Sequence, residues 1–224
     1  MEPKTFLSLG EQIYQTLKER IVENQYMPGT MLQIDKLAEE LGVSSTPIRE
    51  TLFKLDGIGL VDMIRNKGAV VSEISEKMVK DVWQFRALLE SFCAREAVAH
   101  GDKNAIATLK DKIEYLLDSP SDFELYKETD ASLHDMLCSK TENRLVHDSL
   151  ENLLDHSRRI RYFAENTPFR EEVVLQVSNE HLAILDALMK KDADVVEKAM
   201  KTHLHNAEGR TLMALAETRK TLSR

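Results

Sequence analysis

Leu37-Ala38-Glu39-Glu40-Leu41-Gly42-Val43-Ser44-Ser45-Thr46-Pro47-Ile48-Arg49-Glu50-Thr51-Leu52 reads as two short helices joined by a glycine turn. The first runs from about Ile34 to Leu41 and buries Leu37, Ala38 and Leu41. Gly42 ends it, as a glycine just past a helix terminus commonly does. The second opens on hydroxyl residues able to cap free N–H groups, and Pro47 in its first turn has no N–H to waste. Its inner face is Ile48, Leu52 and Leu55. Upstream, from Leu9 to about Glu23, Ile13, Leu17 and Ile21 recur every fourth residue and form one helical stripe. Met27-Pro28-Gly29-Thr30 breaks it. Downstream of Gly57 and Gly59 the period shortens. Leu60-Val61-Asp62-Met63-Ile64 and Ala69-Val70-Val71 flank Arg65-Asn66-Lys67-Gly68, which predicts a β-hairpin with a basic tip.

Three helices and a hairpin, with a tight turn between the second and third helices, form the arrangement that lays a recognition helix in the DNA major groove. Ser44, Ser45, Thr46 and Arg49 then sit at the exposed start of that helix. Hydroxyls and N–H groups there suit phosphate oxygens, and the Arg49 fork suits guanine or phosphate. Asn66 and Lys67 at the hairpin tip can add contacts, with Gly68 letting the backbone approach the minor groove. The alternative is that the triplet is only a packing unit. Bulk charge does not favour DNA: the chain carries a net charge of −8, and residues 1–72 hold eight basic against ten acidic side chains. Phosphate binding draws on clustered cations, so this reading rests on where Arg49, Lys54, Arg65 and Lys67 are placed.

Beyond Ser72 the texture is helical, with breaks near Gly101-Asp102, Ser119-Pro120-Ser121, Lys140-Thr141, Thr167-Pro168 and Lys191-Asp192. Six helices are expected, over about residues 76–100, 103–118, 122–139, 142–164, 168–190 and 193–221. The expected fold is mainly α: a winged helix-turn-helix over residues 1–72, then an all-α antiparallel bundle over residues 73–224. With 224 residues, 42% hydrophobic and 30% charged, the chain can bury a core without disulfides or metals. No apolar run reaches membrane-spanning length. Met1-Glu2-Pro3-Lys4 lacks the basic start and apolar stretch of an export signal, so a cytoplasmic protein is expected. Cys93 and Cys138 form no CxxC and are expected to be reduced, buried thiols.

The N-terminal residues closely resemble the winged helix-turn-helix of the GntR family. The resemblance is carried by Pro28-Gly29-Thr30-Met31-Leu32, the stretch Leu37–Leu52, Leu55, Gly59-Leu60-Val61 and Asn66-Lys67-Gly68-Ala69-Val70-Val71. It implies that Arg49 contacts DNA from the recognition helix and that Lys67 with Gly68 forms the wing tip. Asp35 and Ser45 depart from the pattern, standing where many members carry arginine. That departure bears on the operator sequence and on the salt-dependent part of affinity.

In the helical half, Asp130 and His134 stand four apart and share one helix face. His181 and His203 follow in two later helices, each spaced from its apolar neighbours so that it can point inward. Three imidazoles and a carboxylate suit zinc or a similar divalent ion, while a single inward histidine is more often hydrogen-bonded core. His100, His147, His156 and His205 have no partner at chelating spacing. His134-Asp135 and His147-Asp148 imitate the HD pair of metal-dependent phosphohydrolases, a reading that leaves the first 70 residues without a purpose. A di-iron bundle needs a glutamate three residues before a histidine, and none stands there.

Asp130-x-x-x-His134, Thr141-Glu142-Asn143, Glu180-His181-x-x-Ile-Leu-Asp-Ala-Leu, Asp192 and His203 are similar to the FCD ligand-binding domain of the FadR subfamily, over about residues 76–221. Six helices point to its VanR-type variant. The resemblance implies Asp130, His134, His181 and His203 as ligands of a divalent metal, with zinc first and nickel, manganese or iron as alternatives. It also implies that Arg86 faces an effector cavity; a salt bridge with Glu90, four residues on, is the competing role. The expected protein is a non-enzymatic DNA-binding regulator, a repressor by preference. It would be homodimeric on a palindromic double-stranded operator and controlled by a small carboxylate, with no membrane partner.

Overall fold

The computed structural model describes residues 7–65, 67–164 and 170–222. The chain divides into two compact units: Met1–Ser75 with Asp155–Phe163, and Glu76–Leu154 with Ala164–Arg224.

The first unit opens on α1 (Leu9–Val22), closed at its start by a capping box in which Ser8 and Glu11 satisfy each other's backbone N–H groups. The expected stripe of Ile13, Leu17 and Ile21 is buried. A three-residue strand, β1 (Met31–Gln33), follows and runs directly into α2 (Ile34–Leu41). Gly42 caps α2 in the left-handed region at φ 66°, as the sequence required. In α3 (Ser45–Gly57) the inner face is Ile48, Leu52 and Leu55, all at 0% exposure. The Ser44 hydroxyl makes no cap hydrogen bond at the start of α3, contrary to the capping expected there. The neighbouring Ser45 hydroxyl turns instead to Asp35 on α2.

The hairpin is β2 (Val61–Ile64) and β3 (Gly68–Val71), and β1 pairs antiparallel with β3 to give the order β1-β3-β2. The sequence did not reveal β1, because three residues are too few to display an alternating pattern. Gly68 has φ 125°, and a Cβ there would lie 2.0 Å from the Leu32 carbonyl oxygen. Its identity is therefore dictated by the β1 backbone pressed against it. Residues 155–163 complete this unit: Asp155 pairs with Lys18 at 2.9 Å, His156 Nε2 donates to the Ile58 carbonyl at 2.6 Å, and Arg159 Nη1 donates to Ser72 Oγ at 2.9 Å.

The second unit contains α4 (Glu76–Ala97), α5 (Lys103–Asp118), α6 (Phe123–Cys138), α7 (Arg144–Ala164) apart from its residues 155–163, α8 (Arg170–Met189) and α9 (Ala193–Leu222). The expected six helices are present. α4 ends three residues early, where the His100 N–H bonds the Ala97 carbonyl in a turn before Gly101. The break expected at Thr167-Pro168 lies outside the described residues. α4 packs on α9 and α6, and α8 packs on α5 and α9. Ala94, Ile113, Leu133, Leu137, Ile184, Leu185, Val196 and Met200 fill the shared core at 0% exposure. Among the described residues, no helix is long and apolar enough to cross a membrane.

Candidate metal centre and nucleic-acid interface

Helical spacing places Asp130 and His134 on one face of α6, and packing brings His181 of α8 and His203 of α9 against it. All four are buried, at 7%, 7%, 1% and 4% exposure. One ring nitrogen from each histidine lies within 4.8 Å of the others, and the ring centroids are 4.7–6.0 Å apart. Asp130 Oδ1 is 3.9 Å from His134 Nε2 and 3.7 Å from His181 Nε2.

Two carboxylates behind the imidazoles set which nitrogen faces the centre. Glu90 Oε2 hydrogen-bonds His134 Nδ1. Glu180 Oε2 hydrogen-bonds His203 Nδ1 at 2.8 Å. A carboxylate accepts only, so each Nδ1 carries the proton and each Nε2 keeps its lone pair for the interior. Both carboxylates are anchored in turn. Arg86 Nε donates to Glu90 Oε1 at 2.5 Å. Glu180 takes Asn206 Nδ2 at 2.8 Å and Arg210 Nη1 and Nη2 at 2.7 and 2.8 Å.

Electrostatics agree with this placement. Burial, and then the charges of the neighbouring histidines, push His181 well below the ordinary imidazole range. Burial also lowers His203. Burial would raise the Glu180 carboxyl, but hydrogen bonds from Arg210, His203 and Asn206 outweigh it and bring it down to about 2. Glu90 is likewise held low, by Arg86 and His134 against the opposing effect of burial. Among the described residues His181 Nε2 is buried with no hydrogen-bond partner, a state that costs on the order of 1–3 kcal/mol unless a donor or a cation engages its lone pair. Inward lone pairs, an adjacent carboxylate and one orphaned nitrogen fit a divalent cation with mixed N/O ligands.

Arg86 is 5% exposed and engaged with Glu90, with its guanidinium 5.7 Å from the Trp83 ring centroid. The salt bridge that the sequence allowed is therefore present. Glu90 and Glu180 as imidazole partners were not legible in the sequence. Glu180 adjoins His181 in the chain yet serves His203, through the register of α8 on α9. Both cysteines are free thiols; Cys93 is buried as expected, while Cys138 is only half-buried.

In the first unit, Ser44, Thr46, Arg49 and Lys67 are exposed, Ser45 is half-buried and Gly68 is buried in the sheet. Asn66 lies outside the described residues. Asp35 is exposed on α2, and its Oδ1 accepts the Ser45 hydroxyl at 3.2 Å.

Residues 9–71 match the family of bacterial regulatory proteins named gntR, and residues 81–206 match the FCD domain. The chain belongs to the GntR family and carries an FCD domain. This GntR chain is 29% identical over 198 residues to the HTH-type transcriptional repressor RspR of Escherichia coli K12, covering 88% of the chain and 86% of that relative. Its fold matches E. coli McbR/YncC with a TM-score of 0.73 at 19% identity, over 93% of this chain and 99% of that one. It also matches the zinc-bound FCD domain of TM0439, with a TM-score of 0.54 at 20% identity over 64% of this chain and 98% of that one. The GntR chain is thus a transcription regulator and not an enzyme. The phosphohydrolase reading fails on geometry too: His134 is buried while Asp135 is exposed, and His147 and Asp148 both face solvent.

Proposed function

We propose that this GntR-family chain is a cytoplasmic, homodimeric repressor of the FadR subfamily. Residues 1–72 bind a palindromic double-stranded operator through Ser44, Ser45, Thr46, Arg49 and the Asn66-Lys67-Gly68 tip. Residues 73–224 bind a small organic acid at a divalent metal, zinc first, held by Asp130, His134, His181 and His203. The observation that carries the sensing half is the buried convergence of three imidazole nitrogens within 4.8 Å, beside Asp130 and with His181 Nε2 unpartnered. The likeness to a zinc-bound FCD domain supports the metal, and the name of the E. coli relative RspR supports repression.

When bound, the ion would supply Lewis acidity that anchors a carboxylate. Glu90 and Glu180 hold the imidazoles in the ligating tautomer. Arg86 supplies a buried cation to the effector while sharing its charge with Glu90. Among the described residues Trp83 Nε1 and Ser178 Oγ are also buried and unpartnered, three residues before Arg86 and His181 on the same helices. They offer a ligand its remaining hydrogen bonds. A second copy of the chain has an apolar stripe to cover on α4, where Phe85, Leu88 and Phe92 are 44%, 68% and 42% exposed. Effector occupancy changes operator affinity, a coupling typically worth about 1–3 kcal/mol, or roughly 5–150-fold.

The test is the metal content of the purified double variant His134→Ala, His181→Ala, with a thermal-shift screen of small organic acids on the wild type. Loss of stoichiometric metal in the variant, and acids that raise the wild-type Tm only while metal is bound, would support the reading. Unchanged metal content would overturn the site assignment.

A further inference from the structure

On the DNA-facing side of the first unit, an anionic side chain stands where a polyanion is expected to dock. Asp35 is exposed on the first turn of α2, and its carboxylate accepts the hydroxyl hydrogen of Ser45, the first residue of α3, at 3.2 Å. Arg49 follows Ser45 by four residues, so the two share one face of the recognition helix. A carboxylate gains nothing from phosphates, which are acceptors carrying the same charge. In the major groove its partners are the exocyclic amino groups, cytosine N4 and adenine N6. Ser45 gives its only hydroxyl hydrogen to Asp35, so the pair presents acceptors without a donor, and the hydrogen bond restrains the carboxylate before DNA arrives.

We infer that Asp35, steadied by Ser45, is a specificity-determining residue that reads one exocyclic amino group, of cytosine or adenine, in each half of the operator. This rests on the DNA-reading role proposed for residues 1–72. The same carboxylate repels a base edge that offers only acceptors, as guanine N7 and O6 do, and it repels the backbone. It therefore trades general affinity for selectivity.

The experiment is sequencing of DNA selected from a random duplex library by the full-length chain and by Asp35→Ala, with Ser45→Ala as a third arm. The wild type should enrich a two-fold motif holding one cytosine or adenine at a fixed place in each half. The base recovered tells which amino group is read. Replacing that base pair should weaken wild-type binding by about 5- to 150-fold, the effect of one well-made base contact. Asp35→Ala should accept all four bases there and keep the rest of the motif, and Ser45→Ala should relax the same position partly. Because Asp35 is exposed, the variant's Tm should match the wild type. An unchanged motif in Asp35→Ala, or a uniform loss of binding with no change in any base preference, overturns the inference. Failure of the wild type to enrich any motif overturns instead the DNA-reading role on which it rests.

Discussion

Glu180 Oε2 accepts a hydrogen bond from His203 Nδ1 at 2.8 Å, joining α8 to α9 across 23 residues of sequence. The same carboxylate is gripped by Asn206 and by both terminal nitrogens of Arg210, so it has little freedom to turn away from the ring. Replacing Glu180 by Ala should leave His203 in place but let its ring choose either tautomer. Divalent-metal affinity, measured by competition against a chromophoric chelator, should fall by about 10–100-fold, the usual cost of losing such a partner. Affinity equal to the wild type would show that the carboxylate does not orient the ring.

Glu180 also makes stability depend on pH. Its folded carboxyl is depressed to about 2 from an ordinary value of 4.5, so in the native state it stays charged where the unfolded chain has bound a proton. The stability it contributes is present above about pH 4.5 and is lost as the pH falls through about 2. In urea unfolding, the difference between wild type and Glu180→Gln should shrink across that window. A difference that stays constant through it would count against the assignment.

Arg49 is exposed near the start of α3, with Lys54 exposed farther along the same helix. Arg49→Ala should weaken operator binding by about 1–3 kcal/mol. If the partner is a phosphate, the slope of log affinity against log salt should also fall by about one. An affinity unchanged at low salt would remove Arg49 from the interface.

Gly68→Ala should destabilise the first unit. A backbone held at φ 125° costs a side-chain-bearing residue about 1–3 kcal/mol, and the added methyl meets the Leu32 carbonyl as well. Gly57→Ala serves as the control, since nothing lies within 4 Å of a Cβ there. Equal denaturant midpoints for the two variants would show that the β1 contact exerts no constraint.

Local chemistry is what the sequence determined. Gly42 ends α2, Pro47 sits in the first turn of α3, and Ile13, Leu17 and Ile21 face one core, because turn preferences and helical period act between residues a few positions apart. The spacing of Asp130 and His134 followed from the same rule, as did the inward positions of His181 and His203, which the resemblance to known regulators joined to them as one ligand set. The tertiary structure decided whatever depends on register between distant segments. It paired the three-residue β1 with β3 and so fixed Gly68. It linked Asp35 to Ser45, handed Glu180 to His203 and placed Glu90 between Arg86 and His134. Such contacts depend on how whole helices and strands slide and rotate against each other, and that is set by the summed packing of the core. No short window of sequence contains that sum.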